Sequence, residues 1–242
     1  KQTVAYLWAR TVHCKACRAD IPLLKTRWLS KKEATRAVLT MRPNDSRSGV
    51  IFGVESKPKS IGGNSAQKRE YDKKLGSGTM SRSGASCPCC GTIMTMGDVQ
   101  LEGRAGRLGS VLTSVVVDSP DGKEFRAPTE LEIQSVFSSG GSVEENFGGI
   151  PFGVPNEAIS PDRPSPNTRG ASGLPRYGFD KWADIFTDRQ LTALPIFLKK
   201  TRHAIGSQLP STYEENFREA IAAYLMAGFD KLLTNCSTIC SW

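Results

Sequence analysis

The 242 residues contain only two histidines, His13 and His203, standing 190 positions apart. A catalytic machine built on histidine has little to work with. The longest wholly apolar runs are only a few residues, as in Ile221–Ala227, whereas a spanning helix needs about 20 such residues, which excludes a transmembrane helix. No charged segment leads into an apolar stretch, so no secretory signal is read. Also missing are a G-x-x-x-x-G-K-[ST] phosphate loop, an H-E-x-x-H metalloprotease helix and a G-x-S-x-G nucleophile elbow. No catalytic constellation is found in the segment. The chain opens at Lys1 inside a strand-like run and closes at Cys240-Ser-Trp242 just after a helical pattern, so it is expected to be a piece of a longer protein.

What is present starts with charge. Residues 1–100 carry 18 Lys and Arg against 7 Asp and Glu, while residues 101–242 carry 14 against 17. A basic half beside a near-neutral half points to a surface facing a polyanion, or equally to a solvated lysine-rich surface. The candidate nucleic-acid contacts are Lys25, Arg27, Lys31, Lys32, Arg104 and Arg107. The last two sit in Gly103-Arg-Ala-Gly-Arg-Leu-Gly109. That pattern is G-x-x-G-x-x-G and not the dinucleotide fingerprint. It either lets backbone and guanidinium approach phosphate or is a flexible turn into a hairpin.

Seven cysteines, an odd number without a signal peptide, argue for a reducing compartment and a cytoplasmic protein. Cys14-Lys-Ala-Cys17 and Cys87-Pro-Cys-Cys90 are two C-x2-C units. Zinc takes four soft ligands at tetrahedral corners, and a two-residue spacer lets one tight turn aim two thiolates at one ion. Cys14, Cys17, Cys87 and Cys90 are therefore the expected ligands of a structural Zn2+. Cys89 could replace either member of the second pair, and adjacent His13 could ligate. Cys236 and Cys240 are read as packing thiols, and His203 as a surface or capping residue.

The fold class expected is α+β: a zinc-ribbon-like β region with an insertion, then a β-hairpin, then amphipathic helices. Residues 1–136 form the β-rich region, with 43–78 as a flexible insertion. Short β segments are expected near 1–13, 21–29, 37–41 and 49–54. The hairpin is Val111–Val117, a turn at 118–122, and Glu124–Ala127. Thr129-x-x-Glu132 is a capping box opening a helix to Phe137. Residues 137–173, rich in Gly, Pro and Ser, are a linker. From 174 to 242 the chain is helical, with a capping box at Thr187–Gln190 and a cap at Ser211–Glu214. The first of these helices carries Leu191, Leu194, Phe197 and Leu198 on one stripe, with a kink or late start expected at Pro195. The second carries Phe217, Ile221, Leu225, Gly228, Phe229 and Leu232. These helices are expected to pack on each other or on a missing domain.

Several stretches resemble, in order, the bacterial and archaeal adenine-specific DNA methylases that contain a zinc ribbon. They are Ala5–Cys14, Cys17–Leu24 and Trp28–Lys32, then Cys87–Gly91, Gly103–Gly109 and Arg126–Glu130, then Ile159–Asn167, Tyr177–Trp182, Asp184–Leu191 and Asn235–Trp242. Residues 43–78 and 137–156 match least. The resemblance implies a middle portion of an enzyme that transfers a methyl group from S-adenosylmethionine to adenine N6, with the base flipped out of duplex DNA. The cofactor-binding motif would lie upstream and the catalytic motif downstream. Only Cys14, Cys17, Cys87 and Cys90 carry over, as zinc ligands. The partners implied are DNA and the remainder of the methylase chain. A non-enzymatic, zinc-stabilised interaction module is the alternative.

Overall fold

The computed structural model describes residues 2–120, 122–138, 142–167, 170–210 and 212–237. It is α+β, as expected. The strands are β1 (Thr3–His13), β2 (Asp20–Pro22), β3 (Trp28–Ser30), β4 (Ala37–Pro43), β5 (Val50–Ser56), β6 (Ala85–Ser86), β7 (Ile93–Met94), β8 (Gly109–Ser119) and β9 (Gly122–Arg126). The helices are α1 (Ser65–Leu75), α2 (Met96–Arg104), α3 (Glu130–Ser138), α4 (Val143–Phe147), α5 (Asp188–His203) and α6 (Glu215–Asn235). They divide into two compact units. One holds residues 1–133 with Pro175–Gly178, the other Gln134–Leu174 with residues 179–242.

In the first unit a four-stranded antiparallel sheet runs in the order β2-β1-β8-β9. The β8 residues from Leu112 to Val117 are all buried, so both faces of the strand are covered and the alternation that marks a one-sided strand is missing. The β1–β8 register shifts twice, between Thr3 and Ala5 and between Leu7 and Trp8, and such irregularities bend a strand and increase its twist. A separate sheet, β3-β4-β5, lies in the stretch between the two cysteine pairs. Its Ala37 and Val54 pack with Val116 and Phe125 of the larger sheet.

The insertion expected to be flexible over 43–78 contains α1. Asn64 caps it, accepting from the backbone of Ala66 and Gln67, while the Gln67 side chain returns to the Asn64 N–H. α1 buries no residue, so no apolar stripe betrays it. Its C-terminal end is held by β3 and its flanks. Trp28 Nε1 donates to Asp72 O at 2.9 Å, Arg36 pairs with the Asp72 carboxylate, and the Arg36 guanidinium stacks 4.5 Å above the Trp28 ring.

The capping box at Thr129 forms as expected. Glu132 also receives Arg126 through two bonds of 2.6 and 2.7 Å, which hold its carboxyl well below the usual range, at about 2. In the second unit, residues 137–173 contain α4, and residues 155–159 make backbone bonds to Asp180, Trp182 and Ala183. Ile159, Ala183, Ile185, Leu191 and Leu194 are buried there. α5 opens with the expected Thr187–Gln190 box and continues through buried Pro195 to His203. α6 starts at Glu215 with Glu214 at its cap and buries none of its residues. Ser211 and Cys240 lie outside the described residues.

One turn carries a local conflict. Gly153 N–H donates to Ile150 O at 3.1 Å, closing a turn with Pro151 second and Phe152 third. Phe152 has φ +67° and is 96% exposed. A type II turn wants Gly or Asn at that third position, and a bulky residue with positive φ costs about 1–2 kcal/mol. Phe152→Gly is therefore expected to raise stability by up to about 1 kcal/mol, after the greater chain entropy of glycine is subtracted. A drop on thermal or urea unfolding would mean that the phenyl ring makes a contact needed by the fold.

Candidate metal centre

Two hairpins of the same design build this site. In the first, β1 ends at His13, which pairs with Asp20 of β2. The intervening turn is closed by Cys14 N–H to Ala19 O at 2.8 Å and Arg18 N–H to Cys14 O at 2.9 Å. In the second, Ser86 of β6 pairs with Ile93 of β7. Its turn is closed by Cys87 N–H to Thr92 O at 2.8 Å and Gly91 N–H to Cys87 O at 2.9 Å. The residue after the second cysteine has positive φ in both, +64° at Arg18 and +77° at Gly91. Bonds, register and left-handed residue thus recur across 73 positions of sequence. The repeat follows from one demand: a C-x2-C turn must curl until both sulfurs face the same point.

The four sulfurs meet. Cys14, Cys17, Cys87 and Cys90 Sγ all lie within 4.8 Å of one another. The cross-hairpin pairs Cys14–Cys90 and Cys17–Cys87 are each 3.6 Å apart. Ligands ~2.3 Å from a tetrahedral zinc stand about 3.8 Å from each other, so the cluster fits one ion with little adjustment. Each hairpin contributes one buried thiol, Cys14 or Cys87, and one exposed thiol, Cys17 or Cys90. Beneath them Val12, Ala19, Ile21, Ala85, Met94 and Val99 form a small core with the two buried cysteines.

Electrostatics differ between the two sides. Burial pushes the Cys87 thiol up to about 12, a penalty that a bound cation reverses by favouring the thiolate. Hydrogen bonding with the Thr92 side chain and backbone brings exposed Cys90 down to about 6. Lys15, inside the first turn, donates to Asp98 at 2.7 Å and ties that turn to α2. Asp98 is held at about 2 by that bond first and by its capping bonds from Thr95 second.

The alternatives resolve. Cys89 is outside the cluster and donates its S–H to Gly49 O at 3.4 Å. His13 Nδ1 lies 2.8 Å from Asp20 and is likewise not among the clustered ligands. No family description, no curated protein and no solved structure matches the chain.

The basic candidates separate into two kinds. Arg27 donates to three backbone carbonyls, those of Leu39, Leu75 and Ser77, at 2.8 to 3.2 Å, and so splices β3, β4 and the end of α1. Arg107 is clasped by Glu102 through two bonds of 2.8 Å. Lys25, Lys31, Lys32 and Arg104 are exposed. The glycine element beside Arg104 and Arg107 is used in packing. Gly103 is buried against the backbone of Tyr177, Gly106 takes φ +67° just past α2, and Gly109 lies against Thr11. Sequence reasoning missed α2 itself, although Thr95-x-x-Asp98 marks its start.

Gly91 offers a clean test of the turn geometry. A Cβ there would meet nothing within 4 Å, so Gly91→Ala carries only the left-handed backbone cost. It is expected to destabilise the metal-loaded protein by about 1 kcal/mol, read by chemical unfolding, with metal content unchanged. Loss of metal in that variant would show that the turn tolerates no side chain at this point.

Proposed function

We propose that Cys14, Cys17, Cys87 and Cys90 hold one structural Zn2+, and that the chain is the zinc-bearing, DNA-contacting segment of an adenine-specific N6 DNA methyltransferase. The observation that carries the zinc reading is the meeting of two like-built hairpins, 69 residues apart in sequence, with sulfur spacings of 3.6 Å. The buried pair Cys14 and Cys87 belongs to the core beneath the site, and a metal bond between the hairpins would tie the two sides of that core together. The methylase reading is supported by the ordered resemblance and by the basic first hundred residues. S-adenosylmethionine would supply the methyl group in the parent enzyme, and no residue of this chain is assigned to it.

A second reading, a non-enzymatic zinc-stabilised interaction module, is favoured by α6. Phe217, Tyr224, Leu225 and Met226 are all exposed on it, as on a helix that docks elsewhere. One experiment separates the two. The chain is expressed within its full-length parent, and methyl transfer to adenine in duplex DNA is measured with and without Cys14→Ser. Transfer that needs the intact cysteines supports the first reading. A parent protein that binds zinc yet transfers no methyl group supports the second.

A further inference from the structure

The stretch between Cys17 and Cys87 holds the charge of the whole chain. Its 69 residues carry fifteen Lys and Arg against six Asp and Glu, whereas the rest of the chain carries seventeen against eighteen. Two of its seven arginines are used in the fold, Arg27 on three carbonyls and Arg36 on Asp72 and the Trp28 ring, while Arg18, Arg42, Arg47, Arg69 and Arg82 are exposed. Its lysines are exposed, and among the described residues Lys25, Lys31, Lys32, Lys57, Lys59, Lys68, Lys73 and Lys74 enter no ion pair. Lysine is a strongly hydrated point charge suited to non-directional contact with phosphate.

Base recognition in a single strand calls for a different surface. Proteins that grip unpaired nucleic acid stack bases on exposed aromatic rings. In the insertion the exposed large apolar side chains are Ile51 and Ile61, with no aromatic among them. Trp28 is covered by Arg36 on one face and spends its N–H on Asp72 O.

We infer that the inserted sheet β3-β4-β5 with α1 is a duplex-DNA backbone grip, worked by its exposed, unpaired lysines, with Arg27 and Arg107 held in the fold instead. The inference deepens the DNA-contacting part of the reading above and rests on it. It does not depend on methyl transfer. Both ends of the insertion spring from the cysteine hairpins, so the metal centre is its base.

The test uses the whole zinc-loaded chain and a labelled random-sequence 24-base-pair duplex, followed by fluorescence anisotropy across a salt series. Two triple variants, K25Q/K31Q/K32Q and K68Q/K73Q/K74Q, are set against K199Q/K200Q/K231Q, which removes the same charge from the helical unit. Each insertion triple is expected to weaken binding about tenfold or more and to lower the salt slope by up to about 3. The control triple should stay within about twofold. Equal loss in all three triples means bulk charge only and overturns the inference. So does tighter binding of a 24-residue oligothymidine than of the duplex. Zinc content and helical circular dichroism are read on the same samples. Normal zinc and fold with no duplex binding sinks the DNA grip while leaving the metal centre standing, and absent zinc in a folded wild type sinks the metal reading separately.

Discussion

Replacing Cys14 or Cys90 by serine is expected to abolish stoichiometric zinc and to unfold the hairpin core, with a stability loss on the order of 5 kcal/mol. That figure is a part of the ~10–16 kcal/mol by which structural zinc stabilises small domains. The reason lies in what surrounds the sulfurs. Two of the eight buried members of the core under them are the ligands Cys14 and Cys87 themselves. Without the metal, nothing covalent joins β1–β2 to β6–β7 at that point. The two substitutions differ in the metal-free protein. Cys14 is fully buried, so a serine hydroxyl there is also desolvated, whereas Cys90 is exposed and its replacement changes little beyond the ligand. Cys14→Ser should therefore remain the less stable of the two in excess chelator. Cys89→Ser is the control, since Cys89 bonds Gly49 O and stands outside the cluster. Metal analysis and thermal unfolding on all three variants decide the matter. Full zinc in Cys90→Ser, or its loss in Cys89→Ser, would move the ligand set to Cys89 and break the pairing argued above.

The site was more legible than the fold around it, for a physical reason. Ligand chemistry forces residue type and spacing together, so C-x2-C marks its own turn whatever lies between the two copies. Gly91 could be foreseen as the left-handed residue of the second turn. Arg18, which takes the same conformation in the first turn, could not, because nothing in an arginine announces positive φ. Elements with an apolar pattern were also readable: β8, and α5 with its buried Leu191 and Leu194. α1 and α2 escaped because one buries nothing and the other buries only Val99 and Gly103. Their caps, Asn64-x-x-Gln67 and Thr95-x-x-Asp98, were the available signal, of the same kind as the boxes noticed at Thr129 and Thr187. The pairing of β1 with β8 is beyond local reasoning altogether, since it joins residues about a hundred positions apart. Arg107 illustrates a further limit: its charge suggested phosphate, but its partner Glu102 lies five residues back in the sequence and one turn away in space.

Gly103→Ala is expected to cost several kcal/mol, far beyond the gain that alanine ordinarily brings to a helix. Gly103 sits in the last turn of α2, where Ala would otherwise be favoured by ~1 kcal/mol. A Cβ at that position would clash with the carbonyl of Tyr177 and lie only 2.9 Å from its Cα. Those atoms are backbone and cannot rotate away. The approach is mutual, because Gly178, at φ +79°, has its own missing Cβ facing the Gly103 carbonyl. Adding the methyl must push Pro175–Gly178 off α2 and lift Tyr177 from the core that also holds Cys14 and Cys87. Overpacking of this sort typically costs 1–3 kcal/mol where side chains can yield, and more where they cannot. The same substitution also distinguishes the two uses a G-x-x-G-x-x-G element can have. If Gly103 serves packing, Gly103→Ala lowers the unfolding midpoint and leaves the salt dependence of duplex binding unchanged in the fraction that stays folded. If it serves a phosphate, stability holds and the affinity falls. The buried backbone contact with Tyr177 selects the first outcome.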